Sequence, residues 1–386
     1  MKLPQPDKIA VDHSHELQKR LRETILTSGP ISFAQFMHEA LYAPGLGYYS
    51  AGAHKFGPGG DFITAPDISP LFAECIARQC QSILSTLSGG DILELGAGSG
   101  KFASDLLTAL KNLHSLPKQY YILEVSADLR ERQQVFLKKM LPDFFEKIIW
   151  LDTLPQKPIC GIIFANEVID AMPVHCFQLK NNVVFERCVT WHDNHFAWHL
   201  ATPTTNTLIA AVDVIQKDFL LPENYISEIN LQLPAWLKSL ENTLEKGIIL
   251  LFDYGYSRKE YYREDRNTGT LRCFYQHHVH DDPFFYPGLQ DITAHVDFTY
   301  VAESATAANL TVSGYTTQAA FLLNCGLLEL AQTKSLTDAA YFQQAQALKT
   351  LLLPTEMGEL VKVIGLTKQW DAPLLGFTDI DKKREL

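Results

Sequence analysis

The segment Asp91-Ile-Leu-Glu-Leu-Gly-Ala-Gly-Ser-Gly100 is an apolar run that delivers one acid and three glycines to a helical pattern opening at Lys101. A buried strand ending in a glycine turn and feeding a helix is the first unit of a βαβ array. It restricts the chain to folds in which a mostly parallel sheet is covered by helices on both faces. The rhythm continues downstream. Apolar runs at 120–124, 148–151, 159–165 and 247–253 read as strands, with 310–313 and 361–366 as later candidates and helices starting at Lys101 and Ala127. Strands that alternate with helices imply right-handed crossovers and a doubly wound, Rossmann-like α/β sheet.

Ahead of this array, Leu17, Leu21, Ile25 and Leu26 recur at helical spacing over 15–28 until Gly29-Pro30 ends the pattern, and Ser32 is a suitable N-cap for a helix over 33–42. Residues 45–70 are rich in glycine, proline and aromatic side chains and read as an ordered loop of the kind that carries function. Two stretches break the βα rhythm. The first, 174–243, opens with apolar runs either side of Asn181-Asn182, a hairpin signal; the second, 254–291, is dense in Tyr, His, Arg, Asp and Pro. The expected organisation is an N-terminal helical segment with a cofactor-covering loop over 1–88. A Rossmann-like core over 89–173, 244–254 and 291–386 follows, with an inserted substrate region over 174–243 and 255–290.

The chemistry of the first loop narrows the ligand. Nicotinamide dehydrogenases favour G-x-G-x-x-G, with a helix N-terminus facing a pyrophosphate. Here the spacing is Gly96-x-Gly98-x-Gly100, preceded by Glu94, whose charge suits a cofactor carrying an ammonium and a sulfonium better than one carrying two phosphates. That favours S-adenosyl-L-methionine. Glu124, at the end of the second strand, is placed to accept both ribose hydroxyls. Asp152, just past the third strand, is a candidate for the adenine amino group, and Asn166, ending the fourth, points to the same crevice. Asp61 and Thr64, on the loop before the first strand, offer contacts to the methionine end of the cofactor.

Composition limits the partners. The formal net charge of −11 and the lack of a Lys/Arg tract argue against nucleic acid. No apolar stretch reaches the roughly twenty residues of a membrane span, so no membrane insertion is expected. The 7 cysteines are scattered without C-x-x-C spacing and read as reduced core thiols. The first twenty or so residues resemble neither a secretory signal nor a transit peptide, so a cytoplasmic, bacterial setting is expected. His277, His278 and His280 with Asp281 and Asp282 invite a metal reading, but neighbouring histidines on a loop rarely converge on one ion, and no metal is expected.

The chain resembles the MidA-like S-adenosylmethionine-dependent methyltransferase family, which includes a mitochondrial complex I assembly factor that methylates protein arginine. The resemblance is nearly chain-long. Its blocks are Phe36-Met37 with Ala40-Leu41-Tyr42, Gly45-Leu46-Gly47-Tyr48-Tyr49, Gly60-Asp61-Phe62-Ile63-Thr64-Ala65-Pro66-Asp67-Ile68-Ser69, the Glu94–Gly100 loop and Leu123-Glu124-Val125-Ser126. They continue with Ala165-Asn166-Glu167, Asp170-Ala171-Met172-Pro173-Val174, Asp253-Tyr254-Gly255-Tyr256, Gly269-Thr270-Leu271-Arg272, Pro287-Gly288, Asp291-Ile292-Thr293-Ala294-His295-Val296-Asp297-Phe298 and Glu356-Met357-Gly358. Asp67, where Glu is commoner, and Ala97, where Pro is frequent, depart from the pattern without changing its charge.

The resemblance implies a class I methyltransferase fold and a partner protein that presents an arginine. A guanidinium is planar, permanently charged and bound in bidentate fashion by carboxylates. Glu167 is therefore the first candidate to hold it, against a bland role in capping the next helix. Asp170 is a weaker candidate, and Asp253, ending the strand at 247–253, is expected to complete the acidic pocket. His295 is the candidate acceptor for the released proton, and Tyr48 and Tyr49 are candidate walls of the acceptor channel. A competing reading is a cofactor-binding assembly factor or scaffold that acts through protein contacts. The oligomeric state is left open, a homodimer included.

Overall fold

A computed structural model describes residues 3–51, 64–332 and 338–386. They divide into two compact units, one of Met1–Phe62, Ile169–Leu233 and Ser257–His295, the other of Ile63–Val168, Pro234–Tyr256 and Val296–Leu386.

The second of these is the sheet unit. Its strands, numbered in chain order, are β1 (Asp91–Leu95), β2 (Tyr120–Leu123), β3 (Ile148–Leu151), β4 (Ile159–Asn166), β5 (Leu244–Tyr256), β6 (Thr311–Thr317) and β7 (Val361–Lys368). They lie in the order β6-β7-β5-β4-β1-β2-β3, with the short strand Val296–Asp297 added beside β5. All pairs from β3 across to β5 are parallel, whereas β7 runs antiparallel to both β5 and β6. Strand order reverses between β1 and β4, which puts the switch-point crevice of a doubly wound sheet at their carboxyl ends. The fold is Rossmann-like.

Parallel strands need cover on both faces, so they read as continuous apolar runs. Ile162, Phe164, Ile248, Leu250 and Phe252 supply one packed face, where Phe102 stacks on Phe164 at 4.2 Å and Phe72 meets Phe252 edge-on at 5.4 Å. The helices Pro70–Thr86 and Lys101–Asn112 bury their apolar stripes in this core. The expected boundary at residue 88 is thereby displaced: 64–88 belong with the sheet because Leu71, Phe72, Ile76, Ile83 and Leu84 are core residues. At the amino ends of the central strands Gly161 and Gly247 approach so closely that an added Cβ would stand 1.9 Å from the carbonyl oxygens of Asp91 and Gly161 respectively.

The other unit joins the N-terminal helices to the inserted segments. Helix Lys8–Ser28 begins earlier than its apolar spacing suggests, because Asp7 caps it by accepting from the Ala10 N–H at 2.8 Å. Ser32 caps Phe33–Tyr42 as expected, accepting from the Gln35 N–H at 3.2 Å. The hairpin of His175–Lys180 and Val183–His192 turns at Asn181 (φ 52°) and Asn182 (φ 59°), the left-handed pair a two-residue turn requires. An antiparallel sheet formed on this hairpin buries Val174, Cys176 and Val189 with Leu17, Phe33, Phe36 and Leu41. Six of the seven cysteines are buried and Cys160 is half-buried; all are free. Among the described residues no helix is long and apolar enough to cross a membrane.

Candidate active site

The loop after β1 is built from left-handed backbone, with Gly96, Gly98 and Gly100 at φ 68°, 52° and 78°, a region that side chains rarely enter. The Gly96 N–H donates to the Leu123 carbonyl at 3.0 Å, fixing the loop to the end of β2, and the Gly100 N–H closes onto Ala97 at 2.8 Å. Gly100 is also the N-cap of Lys101–Asn112.

Glu124 sits immediately beyond β2 and is buried. One of its oxygens accepts from the Ser126 N–H at 3.0 Å, the other from Gln133 Nε2 at 3.0 Å. Gln133 also donates to the Gly98 carbonyl at 3.0 Å and accepts from Trp150 Nε1 at 3.0 Å. One buried amide therefore ties the glycine loop, Glu124 and β3 together. Sequence reasoning missed Gln133, yet a signal existed: it is the polar member of the buried stripe Leu129, Gln133, Leu137 on helix Ala127–Met140.

Glu94 is 3% exposed on β1 and accepts from the Tyr120 hydroxyl at 2.8 Å. Burial pushes its carboxyl up to about 8, with the Glu124 charge adding to the rise against the Tyr120 hydrogen bond. A buried acid of this kind gains from a nearby cation. Asp152 is exposed and ion-paired with Arg130. Asn166 ends β4 and donates to Glu167 at 3.1 Å, while its own carbonyl oxygen is buried with no hydrogen-bond partner among the described residues.

Glu167 follows with a left-handed φ of 54°, a strained conformation for a residue bearing a Cβ. It is held there from both sides. Its N–H donates to the Phe252 carbonyl at 2.9 Å, and the next N–H, of Val168, donates to Asp253 at 3.2 Å. Asp253 is fully buried, and its other oxygen accepts from the Tyr254 N–H at 2.8 Å. Asp253, expected to complete the acidic pocket, lies buried beside Glu167, and its carboxylate also shapes the turn that carries Glu167. Burial first, then the Asp253 charge, pushes the Glu167 carboxyl up to about 8; the Asn166 side chain and the Ala65 N–H, both donors to it, oppose the rise, and Asp67 adds to it.

Thr64 turns inward to Asp67, donating to it at 2.9 Å; Asp61 lies outside the described residues. His295 and Asp170 belong to the other unit. There the His295 N–H donates to Thr270 Oγ1 at 3.1 Å, and the Asp170 carbonyl accepts from Ala294 at 2.9 Å. Tyr49 donates to Asp291 at 3.0 Å, and Tyr48 is buried beside it. Among the described residues no group of three or more His, Cys, Asp or Glu is placed to hold a metal ion.

These groups fit S-adenosylmethionine. Glu124 is a carboxylate with both oxygens oriented by donors, at the strand end where a ribose diol lies in a doubly wound sheet. A loop without side chains permits close backbone approach, and a buried acid stands on the strand leading into it. A Rossmann-like sheet with this set at its switch point defines a nucleoside-cofactor-binding class. Residues 75–316 match the family described as "Putative S-adenosyl-L-methionine-dependent methyltransferase". The chain belongs to that family of methyltransferases, and S-adenosyl-L-methionine is its cofactor.

Among similar proteins is a Burkholderia thailandensis protein crystallised with S-adenosyl-homocysteine, 38% identical with a TM-score of 0.95 over 100% of both chains. The mitochondrial protein arginine methyltransferase NDUFAF7 of Danio rerio is 28% identical over 94% of this chain and 92% of its own. Its Drosophila melanogaster homologue is 30% identical over 79% and 74%.

Proposed function

We propose that this methyltransferase acts on an arginine side chain of a partner protein, with Glu167 holding the acceptor guanidinium. The observation that carries the reading is the setting of Glu167: a strained, half-buried carboxyl beside Asp253 and Asp67, raised to about 8 by burial and like charge. Carboxyls gathered in low dielectric repel one another, and a permanent cation relieves that repulsion. The names of the NDUFAF7 relatives support the same acceptor.

When bound, S-adenosylmethionine supplies an electrophilic methyl group. The chain's contribution is positioning and electrostatics. Glu124 would take the ribose hydroxyls, Gly96, Gly98 and Gly100 would admit the backbone to the ligand, Glu94 would face its positive charge, and Asn166 and Asp152 would complete the contacts. Ionised Glu167 grips two guanidinium N–H groups in parallel, and its poise near neutrality lets it take the proton released from the methylated nitrogen. The unit built from 169–233 and 257–295 supplies the protein-docking surface. A cytoplasmic, bacterial setting is part of the proposal, supported by the full-length likeness to the Burkholderia protein.

The test is incubation of the protein with labelled S-adenosylmethionine and lysate from a strain lacking it, followed by mass spectrometry. Label on arginine is expected; label confined to lysine, nucleic acid or small molecules overturns the acceptor.

A further inference from the structure

Asp67 lies on the four-residue helix Ala65–Ile68, ahead of the sheet and far in sequence from either β1 or β4. Its two carboxylate oxygens have different partners. Oδ2 accepts from Thr64 Oγ1 at 2.9 Å, and Oδ1 accepts from Ser99 Oγ at 3.1 Å, Ser99 being the residue between Gly98 and Gly100. The Asp67 N–H closes the same turn on the Thr64 carbonyl at 2.9 Å. The first N–H of that helix, of Ala65, donates to the Glu167 carboxylate. A continuous path thus runs from the glycine loop through Ser99, Asp67 and the 64–67 turn to Glu167, with every member inside the sheet unit.

The choice of an acid here needs a reason. Two hydroxyl donors can be satisfied equally well by a neutral acceptor such as Asn, since hydroxyls rotate to donate or accept. A carboxylate adds a like charge near Glu167 and Asp253, which is unfavourable for the folded protein unless the site uses it. The charged groups acting on Glu167 are Asp253 and Asp67, and the polar donors are Asn166 and the Ala65 N–H.

We infer that Asp67 is a positioning residue: it ties the cofactor-binding glycine loop to the turn that orients Glu167, so that the loop and the acceptor carboxylate are set as one assembly. The inference rests on the reading of Glu167 given above, but its first arm needs no acceptor. Removing the tie with Asp67→Ala frees Ser99 and the 64–67 turn, and the affinity for S-adenosyl-homocysteine, measured by calorimetry, falls about tenfold, the loss of one charge-assisted hydrogen bond. Ser99→Ala reproduces most of that fall. Asp67→Asn keeps the tie and removes the charge. Affinity then stays within about threefold of the native protein, but the carboxyl resonance of Glu167, assigned by its disappearance in Glu167→Gln and followed by carbon NMR in the ligand-free protein, titrates at lower pH. Asp67→Glu restores the native titration.

Native affinity in both Asp67→Ala and Ser99→Ala overturns the tie. An unmoved Glu167 titration in Asp67→Asn overturns the link to the acceptor carboxylate. Should Asp67→Ala unfold, Ser99→Ala and Asp67→Asn carry the same two readouts. If both behave as expected while no arginine is labelled in lysate, the positioning role stands and the acceptor assignment alone fails.

Discussion

Replacement of Glu167 by Gln isolates the charge on which the proposed chemistry depends. Burial and the Asp253 charge put the native carboxyl at about 8, so at pH 7 only about one molecule in ten carries the ionised form that grips a guanidinium. kcat/KM for the acceptor is therefore expected to rise nearly tenfold per pH unit below that value and to level off above it. Glu167→Gln keeps the shape but loses two charge-assisted hydrogen bonds of about 1.5–3 kcal/mol each, which corresponds to a fall of about 10²–10⁴-fold in kcat/KM. Affinity for S-adenosyl-homocysteine should hold.

Stability should move the opposite way. A carboxyl raised in the folded state contributes stability that is fully present below its unfolded value of 4.5 and is lost as the pH climbs through about 8. Gln does not titrate, so the variant gains on the native protein across that window, by about 1–3 kcal/mol once solvent screening of a half-buried group is allowed for. Initial rates of label transfer and denaturant unfolding, both taken from pH 6 to 9.5, provide the assay. Glu94 titrates in the same range, and the variant separates the two: its cofactor affinity keeps a pH dependence while its residual transfer loses the native one. A Glu167→Gln protein with native turnover, or a native rate that is flat across the range, refutes the reasoning.

Gln133→Leu leaves the Gly98 carbonyl, Glu124 and Trp150 Nε1 without their buried partner; unfolding by urea should show a loss of about 3 kcal/mol or more, with weaker S-adenosyl-homocysteine binding. Glu124→Ala should weaken that binding about a hundredfold through the two lost ribose hydrogen bonds and lower the melting temperature as well, because the Ser126 N–H and Gln133 Nε2 lose their acceptor; unchanged affinity in calorimetry would remove Glu124 from the site. Gly161→Ala drives a Cβ to 1.9 Å from the Asp91 carbonyl and should destabilise the sheet by at least about 3 kcal/mol, read as a lower melting temperature or insoluble expression.

Much of the sheet was legible because β1, β4 and β5 are buried along most of their length, so apolar runs mark them. The edge was less so. Thr311–Thr317 carries threonine, serine and glycine instead of an apolar run, and nothing local states that β7 inserts between β5 and β6 in antiparallel sense. Glycines, caps and the Asn181-Asn182 turn were readable because each answers a local demand on φ. The main-chain role of Asp253 was not legible for a complementary reason: a strand-end acid looks the same in sequence whether or not it accepts two main-chain N–H groups. Asp67 and Gln133 gain their roles from partners brought together only by folding, and such pairings are silent in a single sequence.

The way the chain passes back and forth between its two units has a consequence for biosynthesis. On the ribosome β4 is finished at Asn166, but its neighbour β5 starts at Leu244 and the closing strand β7 ends at Lys368. Until β5 emerges, β4 presents an unpaired apolar edge, a template for aggregation. Neither unit can be completed before its last segment emerges, at His295 for one and near the end of the chain for the other. The sheet unit therefore cannot fold until synthesis is nearly over, and a nascent chain stalled between residues 170 and 290 should depend on a chaperone holding the β4 edge.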